Sequence, residues 1–233
     1  MLFTAESATT ENQESRGFVP LNFYNLFWIF VIGSIIGICV ETLYQIIVFD
    51  RYEVRAGLVW GPFSPIYGLG GVLFTVALNR FWDKNVIVIF LTAVLLGTSL
   101  EFCSSLIMES CFGLVAWDYS GTFGSIQGRT NFAFGLMWGV LGLLWVRLAL
   151  PLVLKLIDLI PWRYHIAITI GLAAFMAFNI LVTITAIDRQ YQRLNGIPAT
   201  NLVQGLCDEH FPDDWIKERF PNIRIDASLS GRS

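Results

Sequence analysis

Stretches without charge, each long enough to cross a lipid bilayer, constrain this chain more than any motif in it. Phe18 to Val40 holds no charged residue, Tyr24 to Phe49 holds only Glu41, and Val86 to Leu100 again holds none. Ile166 to Ile187 repeats the pattern, and Thr130 to about Leu154 does so apart from Arg147 near its end. A helix needs about 20 residues to cross a hydrocarbon core, where backbone N–H and C=O groups must be satisfied within the protein. The expected fold is therefore all-α, a polytopic transmembrane helix bundle of about five spans placed multi-pass in the cell membrane. Composition agrees, since 14% of the residues are charged against roughly 25% in soluble domains. The chain divides into a polar amino-terminal tail (1–22), the helix bundle (23–187) and a soluble acidic-aromatic tail (188–233). Met1 to Gly17 lacks the basic segment that would open a cleavable signal peptide.

Within the bundle, Gly33 and Gly37 form a small-residue step on helix 1 that continues through Glu41 and Gln45, so the face permitting close packing also carries a carboxylate. The loop that follows holds Arg51, Glu53 and Arg55, then a run of turn residues: Gly57, Gly61, Pro62, Pro65 and Gly68. Phe63 to Trp82 reads as a short second span with Pro65 in its first turn, or alternatively as a re-entrant hairpin. Gly135 and Gly139 mark helix 4 for close packing. In the tail, Asp213 is placed to cap a short helix presenting Trp215, Ile216 and Phe220.

The chemistry concentrates after Leu100. Glu101, Ser104, Ser105 and Glu109 share one broad helix face, and a carboxylate at bilayer depth costs about 2.5–3.5 kcal/mol on insertion scales. Beyond it come Trp117, Asp118, Tyr119 and Ser120, then Gly128 and Arg129. If helix 2 crosses, helices 1 and 3 run parallel, which brings Glu41, Glu101 and Glu109 to one half of the bilayer together with Arg55 and Arg129. The groups either neutralise one another inside the bundle or leave acidic charge lining a cavity rimmed by Tyr67, Trp117 and Tyr119. His165 and His210 are the only histidines, and the four cysteines form no C-x-x-C pair, so no metal or cofactor is expected. A net charge of −3 gives no sign of nucleic-acid binding. Walker A, dinucleotide, G-x-S-x-G and H-E-x-x-H patterns are absent from the sequence. Basic residues beside the spans number six on the amino-terminal side and five on the motif side, which leaves the orientation open. Setting Arg55 and Arg129 aside as site residues favours an internal amino terminus.

From about Ile29 to Leu154 the chain resembles a family of small bacterial membrane proteins named as ABC-transporter permeases of the CmpB type. The resemblance is carried by Gly37 and Glu41, by Arg55-Ala-Gly57 with Gly61-Pro62-x-x-Pro65-Ile-Tyr67-Gly68, by Glu101-x-x-x-Ser105-x-x-x-Glu109, and by Trp117-Asp118-Tyr119-Ser120 with Gly128-Arg129. Ile38, Ala116 and Ser125 depart from the aromatic, the Trp and the Asn usual at those places. The resemblance implies a transport component energised by a separate ATPase subunit or an ion gradient. Two other classes stay open: a membrane binding or assembly subunit, and an intramembrane enzyme acting on a lipid through Glu101, Glu109 or Asp118. Expected partners are membrane lipid, an ATPase subunit or other membrane protein, and a second copy of the chain.

Overall fold

Asparagine starts four of the helices in the computed structural model, which describes residues 18–50, 52, 55–221 and 223–225. Asn22, Asn85, Asn131 and Asn201 each accept a hydrogen bond from a first-turn amide, so donors that a helix leaves unpaired are met at its edge. The polar tail Met1 to Gly17 and the loop residues Arg51 and Glu53 lie outside the described residues. Helix α1 spans Phe23–Phe49, α2 Pro65–Leu78 and α3 Val86–Phe112, which Gly113 ends in the left-handed conformation. A two-residue strand β1 (Leu114–Val115) leads into the motif loop, and α4 (Phe132–Leu144) follows. A π-helical turn, Trp145–Ala149, joins α4 to α5 (Leu150–Asp158), and α6 runs from His165 to Leu194. Among the described residues, four segments are long and apolar enough to cross a membrane: α1, Val86–Cys111, Phe132–Asp158 and α6. The structure is an all-α bundle of a membrane protein.

The helices pack as two antiparallel pairs, α1 with α2 and α3 with α4. The Gly33–Gly37 step faces α2 of the same chain, with the Tyr67 ring seated on Gly37 so closely that a Cβ there would fall 2.2 Å from it. Between α3 and α4 the Trp138 side chain fills the space over Gly97 in the same way. The π turn has a local cause. Pro151 has no N–H to give the Arg147 carbonyl, and the ladder is restored by a longer bond from the Leu150 amide to the Trp145 carbonyl. The turn also sets Trp145, whose indole donates to Thr75 Oγ1 at 2.9 Å and whose ring lies over Gly71.

The second crossing differs from a simple helix. α2 covers 14 residues, or about 21 Å, short of a hydrocarbon core of about 30 Å. The Ser64 amide meets the Ser34 carbonyl, roughly 22 Å back along α1 from Phe49, while Asn79 beyond the far end of α2 exchanges hydrogen bonds with Val19 at 2.8 Å in both directions. The chain thus re-enters the bundle as an irregular stretch, 55–64, and completes the passage as a short helix. Leu58 packs there against Val31 and Met176.

The tail folds back onto the motif face. α6 continues past Ile187 because Arg189, which is buried, clamps Asp208 of α7 (Leu202–His210) with two hydrogen bonds of 2.8 and 2.9 Å. Arg193 joins Asp208 to Asp213 of α8 (Asp213–Arg219). The cap of α8 is Pro212, not Asp213, whose carboxylate is taken by Arg193. Trp215, Ile216 and Phe220 pack with Val59, Leu114 and Ile187, and β2 (Arg224–Ile225) pairs antiparallel with β1. The Arg189 hydrogen bonds, with help from Arg193, hold the Asp208 carboxyl below its usual range. A depressed carboxyl pKa contributes stability above the unfolded value of about 3.9, lost as pH falls through the folded one. Hydrogen exchange across residues 202–219, corrected for intrinsic rates, is therefore expected to hold steady from about pH 8 to 5 and to accelerate below about pH 4.

Candidate functional site

Two ion pairs and one carboxylate without a cation make up the polar cluster. Glu41, late in α1, lies with Oε1 at 3.5 Å from Arg55 Nη1, and its other oxygen accepts from the Tyr67 hydroxyl at 2.8 Å. Tyr67 reaches it because Gly37, one turn before Glu41, leaves room for the ring. On the second helix pair, Arg129 is bound to Glu109 and donates to Ser105 Oγ at 3.3 Å, with its guanidinium 6.0 Å from the centre of the Phe102 ring. Glu101 is 5% exposed. It accepts from Thr130 Oγ1 at 2.7 Å and from the Tyr119 hydroxyl at 3.1 Å. Among the described residues no basic side chain pairs with it.

The motif loop positions the remaining members. The Tyr119 amide donates to the Gly128 carbonyl at 2.8 Å, and the Ile126 amide donates to the Thr130 carbonyl at 2.9 Å. Trp117 Nε1 donates to the Arg129 carbonyl at 2.8 Å. Asp118 accepts from the Ser120 amide at 2.8 Å and sits against Gly128, whose φ of 71° and lack of a side chain let the two strands of the loop close. Ser125, in place of the amide usual in the family, accepts from the Gly128 amide at 3.2 Å and does that turn's bonding itself. Tyr119 stacks on Phe134 at 4.5 Å. Burial, and then the neighbouring Glu101 carboxylate, push the Tyr119 phenol well up, and Glu41 acts on it in the same sense. Tyr119 thus remains a donor and is the point where the two halves of the cluster meet.

All ten sequence-predicted site residues lie at this face. Glu41, Arg55 and Tyr67 form one group, Ser105, Glu109, Trp117 and Arg129 a second, and Glu101 with Tyr119 sits between them. Asp118 belongs to the loop turn. Among the predicted turn positions, Gly57 donates its amide to the Phe63 carbonyl at 2.9 Å, Gly61 adopts φ of 73° just before Pro62, Pro65 opens α2, and Gly68 lies against Ser34 and Phe30 of α1. A cavity of about 180 Å³ opens one turn from Glu101, lined by Ser105, Glu109, Trp117, Asp118, Gln127 and Arg129. Two buried donors in this region, Thr98 Oγ1 and Arg129 Nε, have no hydrogen-bond partner among the described residues, and the Trp138 indole N–H lies beside Glu101.

The sequence reading missed the residues that hold the re-entrant stretch. Asn179, fully buried in α6, accepts from the Trp60 amide at 3.1 Å and donates to the Trp60 carbonyl at 2.8 Å. Thr183, one turn on, accepts from the Val59 amide at 3.0 Å. Arg219 of α8 supplies donors to the carbonyls of Leu58 and Gly61. Irregular backbone at membrane depth persists only where protein satisfies it, and these three side chains do so. Their sequence signal was a polar pair at helical spacing, Asn179 and Thr183, inside an otherwise clean span.

No curated protein and no solved structure matches the chain. Residues 28–184 match the family described as "Putative ABC-transporter type IV". That match takes in nearly all of both helix pairs, the acid–arginine cluster, and the re-entrant stretch with Asn179 and Thr183 that hold its backbone, and the chain belongs to this family of membrane proteins.

Proposed function

We propose that the chain is the multi-pass permease component of a cell-membrane transport system. In this reading the face bearing Glu41, Glu101 and Glu109 forms its ligand site, and a separate ATPase subunit supplies the energy. The observation that carries the reading is Glu101: a buried carboxylate with no cation paired to it among the described residues, one turn from a polar cavity. Inside a membrane such a group is costly, and its presence points first to a pathway or a ligand site. The broken second crossing supports the same reading, because transporter sites are typically built where a spanning helix is interrupted and its backbone is held by neighbouring elements. The ligand that suits the site is a cation or the polar end of an amphiphile, with Trp117 on the cavity wall. An assembly subunit would present the aromatic tail helices to a partner, whereas Trp215, Ile216 and Phe220 are packed on the chain's own motif face.

The test is Glu101→Gln. Thr130 and Tyr119 carry hydroxyls that rotate to accept as well as donate, so the amide is expected to leave the melting temperature nearly unchanged. Unbiased mass spectrometry of protein purified from native membranes is expected to find a small molecule and an ATPase subunit with the native chain, and loss of the small molecule alone in the variant. Identical retention by both forms would contradict the reading.

A further inference from the structure

The guanidinium of Arg219 is held in an unusual way. Nε and Nη2 donate to the Leu58 carbonyl at 3.1 and 2.9 Å, and Nη2 also donates to the Gly61 carbonyl at 2.6 Å. Among the described residues no carboxylate pairs with it. Arg189 and Arg193, by contrast, each bind an aspartate beside their other partners. Burial alone pushes the Arg219 pKa down, as expected for a cation held by dipoles and not by opposite charge.

The two carbonyls converge because the rest of the turn is already engaged. Thr183 takes the Val59 amide, and Asn179 takes both the amide and the carbonyl of Trp60. Leu58 and Gly61 are left with carbonyls on a common side, close enough for one nitrogen to bridge them. The left-handed backbone at Gly61 belongs to this turn. Beside it lies a cavity of about 280 Å³ lined by Val59, Trp215, Glu218 and Arg219, and Trp60, Phe211 and Trp215 form an aromatic chain with ring centres 6.2 and 5.2 Å apart. Aromatic faces and carbonyl dipoles both favour a weakly hydrated planar cation.

We propose that the Leu58–Gly61 turn is a binding cup for guanidinium-type cations, and that the chain fills it with its own Arg219 as a tethered competitor. A soluble alkylguanidinium and the carboxy-terminal helix α8 then occupy the cup in exclusion of each other. This inference rests on the re-entrant turn and the tail. It stands or falls independently of the Glu101 site.

The experiment uses the full chain in detergent, native and Arg219→Ala, titrated with millimolar methylguanidinium chloride against sodium chloride at equal ionic strength. In the variant, methylguanidinium is expected to raise the melting temperature saturably by about 2–4 °C, while sodium chloride does not and the native chain responds to neither. An equal response to both salts, or the same response from native chain and variant, overturns the proposal. If Arg219→Ala does not fold, Arg219→Gln, which keeps an amide donor, is titrated in the same way. Recovery of folded variant only when methylguanidinium is present during purification supports the cup, and failure of both variants to recover with it counts against the cup.

Discussion

Asn179→Leu is expected to unfold far more easily than the native chain, with the loss concentrated in the re-entrant stretch. The substitution is close in volume and more apolar, so a lipid-facing position would tolerate it. Asn179 instead closes a reciprocal pair of hydrogen bonds with the Trp60 backbone at full burial. Its replacement strands one N–H and one C=O, each at about 1–3 kcal/mol. Thr183→Val removes a single acceptor and is expected to cost about half as much. Reversible unfolding in mixed micelles measures both, and hydrogen exchange at 57–61 locates the effect. An Asn179→Leu variant as stable as the native chain would mean that the backbone of the stretch is satisfied elsewhere.

Arg129→Met is the second large effect. Glu109 would lose its partner and Ser105 its donor, while the Trp117 indole keeps its bond to the backbone carbonyl of residue 129. Removing one member of a fully buried pair costs about 3–5 kcal/mol, and because Glu109 keeps a quarter of its side chain exposed (25%), the lower end applies. Arg129→Met with Glu109→Gln is expected to recover most of the loss, since an uncompensated charge and not a missing attraction dominates. Additive losses in the double variant would show that the two residues act separately. The same logic does not extend to Glu101, which has no ion-pair partner among the described residues, and on that contrast we propose that Glu109 braces the bundle while Glu101 is the carboxylate that meets a ligand.

The long helices were legible because hydrophobic length is a one-dimensional property. The convergence of Glu41, Glu101 and Glu109 with Arg55 and Arg129 was legible from chain parity and the cost of isolated charge. Which arginine meets which carboxylate was not, since the α1–α2 and α3–α4 pairings decide it, nor that Asp118 both lines the cavity and braces the Gly128 turn. The second crossing was ambiguous from sequence, as Pro65 fits the first turn of a span and of a half-span equally well. Resolving it needed Asn179, whose amide is inconspicuous until the backbone opposite it is known. The amphipathic face of Trp215, Ile216 and Phe220 was visible, but its target, Val59 and Leu114, lies more than a hundred residues or roughly half the chain away. The helix expected to end near Ile187 runs on to Leu194 because Arg189, within the expected tail 188–233, is folded against Asp208.

The central claim is that a re-entrant stretch and the motif loop meet at one membrane face, opposite the α5–α6 connection. Sealed vesicles carrying single-cysteine variants on a background free of the native cysteines test it directly, with a membrane-impermeant thiol reagent applied from one side at a time. Tyr52→Cys and Gly121→Cys are expected to label from the same side, and Trp162→Cys, 83% exposed at the other end of the bundle, from the opposite side. Labelling of positions 52 and 121 from opposite sides would contradict the account.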